Sequence, residues 1–299
     1  MSEFDTTHYR GRQVGVGSFE CRPSHPRFAD TGPIDSYICV FPRTSVSITH
    51  AGKSSVVADA NVVMFYNRNQ EYRRGPISLE GDRCDWFMVS PEAVVDAVRP
   101  YDPAVIDRPE RPFGFRHGPC TADVYLKQRL LLESVRRTST PDSLWVEESV
   151  HEVLRCVVAA RFRAVGRAPA RPVGRATRSA HAELAEGARS LLATRFDESL
   201  SLDEIARRLY TSPFHLSRVF RQQTGSTLHA YRNQLRLRAA LDRVTQPDQD
   251  LSDLAFALGY SGHSHFTQAF RRCFGLTPSR LRREPRGTIR SLRRRLRVE

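Results

Sequence analysis

Two stretches of this chain repeat one plan, a short amphipathic helix, a break, and a second helix with a polar, cationic outer face, and this doubling constrains the fold more than any other feature. The first stretch runs from Ser201 to Arg221. Ser201 with Glu204 forms a capping box, and Leu200 with Ile205 a hydrophobic staple, so the spacing predicts a helix starting at Leu202. Leu202, Ile205, Ala206 and Leu209 share one face of it. Thr211-Ser212-Pro213 ends that helix and starts another, with Ser212 as N-cap and Pro213 at the first helical position, where a missing N–H costs nothing. Leu216, Val219 and Phe220 form the buried stripe of the second helix, which leaves Phe214, His215, Ser217, Arg218 and Arg221 on its open face.

The second stretch follows the same plan. Leu251, Leu254, Ala255 and Leu258 make a buried stripe, Gly259 supplies the stop, and Ser261-Gly262 leads into a helix from His263 to Gly275. Phe266, Ala269 and Phe270 face inward there, while His263, Ser264, Thr267, Gln268 and Arg271 face out. Between the units, Thr227 to Thr245 reads as one helix, with Leu228, Tyr231, Leu235, Ala239 and Leu241 apolar and Arg232, Arg236, Arg238 and Arg243 expected in solvent. At 1.5 Å per residue it spans about 27 Å. That length suits two recognition helices set about 34 Å apart, one turn of B-DNA.

The run Ile205-Ala206, Ser212-Pro213, Leu216 through Arg221 and Gly225, followed by Ala255, Gly259-Tyr260, Ser264-His265-Phe266, Phe270-Arg271, Phe274 through Pro278 and Arg280-Leu281-Arg282, resembles the DNA-binding region of AraC-type transcriptional regulators. The resemblance covers Ser179 to Arg283. It implies a seven-helix domain with two helix-turn-helix motifs and binding to promoter DNA. One position departs from it, since the family commonly has Arg where this chain has Gln268.

Charge agrees with that division. From Ser179 onward the chain carries 21 arginines against 12 acidic residues, while the longer preceding part holds 25 basic against 21 acidic residues. A basic half beside a near-balanced half points to one polyanion-binding domain and one domain with another task. With 40% hydrophobic and 26% charged residues the chain is globular in composition. It contains no run of 18 apolar residues, and Met1 to Asp5 lacks a signal-peptide pattern, so a cytoplasmic location with no membrane partner is expected. The six cysteines lack CxxC spacing and are expected to be reduced thiols.

Residues up to about Asp35 read as a loose arm with a short strand near Gly15 to Cys21. Tyr37 to Phe41, Val46 to Thr49, Ser55 to Ala58, Val62 to Tyr66 and Cys84 to Val89 read as short strands. Their spacing suggests a small barrel or sandwich, as in the cupin-like effector domains that often precede an AraC-type DNA-binding region. A brief helix is expected from Pro91 to Val98, a Pro-rich connector to Pro119, and two helices over Ala122 to Arg137 and Leu144 to Phe162. Similar regulators dimerise through such a helical pair, which puts Val150 and Leu154 at a candidate dimer interface; the alternative is that both helices only cover the barrel. The chain thus reads as α+β, with a cupin-like β domain over 1–100, a helical dimerisation or cover segment over 101–165, a linker over 166–178, an all-α double helix-turn-helix domain over 179–283 and a basic tail over 284–299.

Arg218 is the leading candidate for reading a base, because a guanidinium bridges O6 and N7 of guanine. Phe214 is placed against thymine methyls and Ser217 at a short polar contact; His263, Ser264, Thr267 and Gln268 are the base-edge candidates of the second unit. His215, Arg221, His265 and Arg271 are assigned to phosphate. His263 and His265 stand two apart on a helix, about 200° around it, and cannot chelate a metal together. No cofactor and no metal are expected, and His50, His117, Cys84, Cys120 and Cys156 are not grouped as ligands. Phe41, Tyr66, Tyr72, Trp86 and Phe87 are the candidates for an effector pocket.

These expectations describe a ligand-responsive transcription activator, with double-stranded promoter DNA, RNA polymerase, a small-molecule effector and a second copy of the chain as partners. The alternatives are a constitutive DNA-binding protein without effector, or a cupin-type enzyme with a nucleic-acid-binding appendage. No catalytic triad, phosphate-binding glycine loop or paired metal ligands can be picked out for the latter.

Overall fold

The computed structural model describes residues 3–138, 140–166, 175–246 and 248–283. The chain divides into two compact units, one running through Phe162 and one from Arg163 to Arg282. The β-branched and aromatic runs of the first become antiparallel strands: β1 (Asp5–Arg10), β2 (Val14–Cys21), β3 (Tyr37–Pro42), β4 (Val46–His50), β5 (Val56–Ala58), β6 (Val62–Tyr66), β7 (Tyr72–Pro76), β8 (Asp82–Val89) and β9 (His117–Pro119). They form a six-stranded sheet in the order β1-β2-β8-β3-β6-β9 and a three-stranded sheet in the order β5-β4-β7.

Strand alternation gives the larger sheet two buried faces. Met64, Tyr66 and Cys84 pack with Val46, Ile48 and Ala58 of the smaller sheet, with Ile38, Val40 and Trp86 against them. Gly17 lies beside the Trp86 indole, where a Cβ would collide with the ring. The intervening residues Cys39, Phe41, Val63, Phe65, Phe87 and Val89 point the other way and are equally inaccessible.

Three helices follow, α1 (Pro91–Val98), α2 (Ala122–Arg137) and α3 (Ser143–Val165). Ser90 caps α1 by accepting from the Ala93 N–H. α2 packs on β1 and β2, and its Arg129 donates to the fully buried Asp85 at 2.7 Å. Phe115 joins this layer to α3, meeting Phe65 on one side and Phe162 on the other.

Residues 3–35 are not a loose arm, because β1 pairs with β2 over most of its length. Its sequence, Asp5 to Arg10, is polar and half-exposed, as an edge strand held by backbone pairing permits, so side-chain pattern gave no sign of it. β7 and β9 were not expected either; one carries consecutive arginines and the other is three residues long. Finally, Val150 and Leu154 are 1% and 2% exposed within the single chain. The apolar stripe of α3 covers the chain's own core, so neither residue is available to a partner. Glu at either position is expected to unfold this unit, seen as loss of its thermal transition, rather than to yield a folded monomer.

The second unit holds seven helices among the described residues: α4 (Arg175–Thr194), α5 (Leu202–Arg208), α6 (Pro213–Thr224), α7 (Leu228–Val244), α8 (Leu251–Ala257), α9 (His263–Phe274) and α10 (Pro278–Arg283). α4 begins inside the stretch expected as a linker, whose residues 167–174 lie outside the described residues, as does the basic tail. Local signals set the helix limits. Ser201 and Glu204 form the capping box, Ser212 accepts from the His215 N–H, and Thr227 accepts from the Ala230 N–H. Gly225 and Gly275 close α6 and α9 in the left-handed conformation. Leu202, placed on the buried face of α5, is instead 40% exposed, since it sits in the first turn, before the helix reaches its neighbours.

Candidate nucleic-acid interface and β-domain cavity

The α5-turn-α6 and α8-turn-α9 units superimpose in sequence at a spacing of 50 residues along their second helices. Leu216, Val219 and Phe220 correspond to Phe266, Ala269 and Phe270, and all six are buried. Opposite them, Phe214, Arg218 and Arg221 on α6 and His263, Ser264, His265, Gln268 and Arg271 on α9 are exposed, while His215, Ser217 and Thr267 are half-buried at the edges of the same faces. Helical periodicity thus gathers all the expected DNA-contacting residues onto two open faces. Arg218 and Gln268 occupy equivalent places, as do Arg221 and Arg271.

Neighbouring groups steer several of these side chains. His215 Nδ1 accepts from the Arg218 guanidinium at 3.3 Å, and the His215 ring stands edge-on to His181 of α4. On α9, His265 packs edge-on against Tyr260 and its Nδ1 lies 3.2 Å from the Ser261 hydroxyl. His263 Nε2 and the Thr267 hydroxyl are 3.4 Å apart, one turn along the same helix. Phe214 in the first turn of α6 and Tyr210 in the turn before it project into solvent, 80% and 98% exposed. Tyr210 also takes a left-handed backbone, φ +52°, at the turn position where the second unit has Gly259.

In the first unit of the chain, a cavity of about 490 Å³ opens between the two sheets. Tyr66, Tyr72 and Trp86 line it, as expected. Phe41 and Phe87 do not: they sit on the opposite face of the larger sheet, 5.3 Å apart as a ring pair, because each is one residue out of step with the cavity-facing set. Sequence reasoning missed Arg74 and Asp82, which reach the same cavity from β7 and β8. Their side chains are 2% and 6% exposed, with Nε and Oδ2 2.5 Å apart. Arg74 also donates to the Phe28 carbonyl at 2.9 Å and to the Tyr72 hydroxyl at 2.8 Å, and its guanidinium lies 4.6 Å from the centre of the Phe19 ring. Burial pushes the Asp82 carboxyl up from the ordinary carboxylate range while Arg74 pulls it back. His50, behind this wall, stacks on Tyr66 and contacts Gln70; burial, helped by Arg116, pulls its imidazole down to about 4. Among the described residues no group of three or more His, Cys, Asp or Glu side chains is placed to hold a metal ion. No helix among them is long and apolar enough to cross a membrane.

A sequence family described as a helix-turn-helix domain matches residues 205–284. GlxA of Rhizobium meliloti, an HTH-type transcriptional regulator, is 38% identical over 91 residues, 30% of this chain and 28% of its own. PqrA of Proteus vulgaris, a probable transcription factor, is 33% identical over 86 residues, 29% of this chain and 70% of its own. The chain belongs to the AraC-type transcriptional regulators. A crystal structure of an AraC-type regulator from Chromobacterium violaceum is 29% identical, with 37% of this chain and 98% of that one covered, at a TM-score of 0.34. The chain spans only 12% to 41% of the length of GlxA and three further curated relatives it matches.

In this AraC-type chain the arginines of α7 do a different job from the one expected of them. Arg236 and Arg238 are 8% and 1% exposed rather than solvated. Arg236 donates to the carbonyls of Phe196 (2.5 Å), Glu198 (2.9 Å), Asp197 (3.3 Å) and Gly259 (2.8 Å). Arg232 donates to Leu200 at 2.9 Å. These contacts hold the approach to α5 and the turn after α8 against the connecting helix. The signal was present in the spacing, since Arg238 stands three residues after Leu235 and seven after Tyr231, on the apolar face. Charge concealed it.

Proposed function

We propose that this chain is a sequence-specific DNA-binding regulator of transcription, acting as an activator, whose α6 and α9 read two successive major-groove segments of promoter DNA. The carrying observation is the exposure of Arg218 and Gln268 at equivalent points of two helices that repeat at one spacing. A guanidinium bridges O6 and N7 of guanine, and a carboxamide bridges N6 and N7 of adenine, so the two units would read different bases. Phe214, Ser217, His263, Ser264 and Thr267 flank those two readers, and His215, Arg221, His265 and Arg271 are set for phosphate. Phosphate contacts would fix register, and base contacts would carry sequence.

In this reading the β domain holds a small-molecule effector in its cavity and sets DNA affinity, and RNA polymerase and a second copy of the chain are further partners. A second copy would use a surface that excludes Val150 and Leu154. The domain limits that go with it are a β domain and its helical cover through 165 and the DNA-binding helices from Arg175.

Selection of full-length protein on random double-stranded DNA tests the reading. The expected enriched site has two half-sites about one helical turn apart, a guanine mattering in one and an adenine in the other. Enrichment no greater than for scrambled competitor at 150 mM salt overturns it.

A further inference from the structure

The two outer helices carry a histidine at the same place, three residues before the base reader: His215 before Arg218 on α6, and His265 before Gln268 on α9. Residues three apart are neighbours on a helix surface, so either imidazole is within reach of the reader it precedes. Only the first is used that way. His215 Nδ1 lies 3.3 Å from a terminal nitrogen of Arg218, whereas His265 Nδ1 lies 3.2 Å from the Ser261 hydroxyl, back toward the turn.

The surroundings of each ring set these directions. The His215 N–H is held by the Ser212 hydroxyl, and its half-buried ring stands edge-on to His181 of α4 at 5.5 Å. Arg218 from its own helix and His181 from α4 are the charged or titratable side chains in contact with that ring. His265 stands edge-on to Tyr260 instead, at 5.4 Å, and the Tyr260 hydroxyl is anchored by donating to Asn233 at 2.7 Å. Gln268 is thereby left exposed without a tie of this kind.

A guanidinium only donates, so Nδ1 is the bare nitrogen of a neutral His215 ring and the proton sits on Nε2. The bond takes one N–H of Arg218 and leaves the others for O6 and N7 of guanine. It also confines a long side chain that is otherwise free in solvent. An arginine ordered beforehand has less freedom to lose on meeting guanine, and the gain is specific to guanine because the other bases do not engage the fork.

We infer that His215 is a positioning residue, which holds the Arg218 guanidinium ready for guanine and so sharpens base recognition in the first unit, with no counterpart in the second. This rests on the reading of Arg218 as a base reader, and it adds what orients that reader. A phosphate contact through the Nε2–H of His215 leaves the bond to Arg218 intact, so the two roles separate by experiment.

The full chain is titrated against its selected site and against the three variants of the base pair whose preference Arg218→Ala flattens. His215→Leu removes the acceptor and should lower the preference for guanine by about threefold to tenfold, the range for ordering one long side chain, with the other three sites little changed. His215→Asn places an amide oxygen near the position of Nδ1 and should restore most of the preference, which a loss of packing or of fold does not predict. Because His215 acts through Arg218, the double variant of His215→Leu and Arg218→Ala should bind the guanine site within about twofold of Arg218→Ala alone. His265→Leu should leave the ranking of bases under Gln268 as it is. Uniform weakening of all four sites by His215→Leu, no recovery in His215→Asn, losses that multiply in the double variant, or an equal loss of ranking in His265→Leu overturns the inference. The Arg218→Ala arm separates it from its premise. If that variant flattens no base pair, the base-reader reading falls and the inference with it, whereas a flattened preference there beside an unchanged one in His215→Leu overturns the inference alone.

Discussion

The two helix-turn-helix units share a buried stripe and a closing glycine, yet they start their outer helices differently. α6 is capped by the Ser212 side chain and begins with Pro213, whereas α9 begins after Gly262 with no side-chain cap. Their turns differ in the same sense. Tyr210 holds a left-handed backbone with its side chain in solvent, while at Gly259 a Cβ would strike the Asp197 carbonyl and the Arg236 guanidinium. The outer helix of the first unit is therefore started by its own sequence, whereas the turn of the second is fitted to the neighbours packed onto it. Arg236 makes the link, reaching from α7 to the carbonyls of both the segment before α5 and Gly259.

The largest effect that would sharpen this contrast belongs to Arg236. Arg236→Met removes a charged donor from four carbonyls at once and should cost roughly 3 kcal/mol in urea unfolding of the helical unit. Arg218→Met, the same exchange on an open face, should change stability by no more than about 0.5 kcal/mol. Equal losses in the two variants would mean that Arg236 does not join the units.

Next comes the turn. Gly259→Ala combines a strained φ with a collision and should destabilise by about 2–3 kcal/mol in the same assay. A neutral outcome would show that the turn after α8 adapts as freely as its counterpart at Tyr210.

DNA affinity separates the units in another way. Arg218→Ala should lose about 1–3 kcal/mol of binding and flatten the preference at one base pair in titrations of single-base operator variants. Arg271→Ala should weaken all sequences alike and lower the salt slope by about one unit. If Gln268→Ala leaves every base of its half-site equivalent to wild type, the second unit only grips the backbone.

Smaller effects come from exchanging features between the units. Tyr210→Gly should raise stability by about 0.5–1 kcal/mol, since the relief of left-handed strain exceeds the added chain entropy of glycine. Gly262→Ser gives α9 the cap that α6 already has, in a position where a Cβ meets nothing within 4 Å. It should add about 0.5 kcal/mol, read as a small upward shift of the melting temperature. A loss of stability in both exchanges would mean that the two starts are not interchangeable.

Much of this architecture is legible in the chain itself. Ser201 with Glu204, Ser212 with Pro213 and Thr227 mark three helix starts, and the strands with apolar or β-branched runs lie where alternation puts them. What stays hidden is what covers an apolar or charged face. Val150 and Leu154 have the same spacing whether a second copy or the chain's own core lies against them, and alternation separates Phe41 from Tyr66 without saying which side is hollow. β1 is hidden for a further reason, because an edge strand of polar residues is held by its backbone.

The sequence by itself determined where helices begin and end and which residues share a face, because a cap acts over three residues and a helical face repeats every three or four. Tertiary structure decided which arginines are solvent-facing readers and which are internal ties. Arg218 and Arg236 are both cations on amphipathic helices, and they differ only in what approaches them: open solvent for the first, and for the second a loop carbonyl 40 residues away in the chain. A buried guanidinium is stable only where fixed acceptors meet its N–H groups, and no short-range pattern records acceptors supplied from that distance.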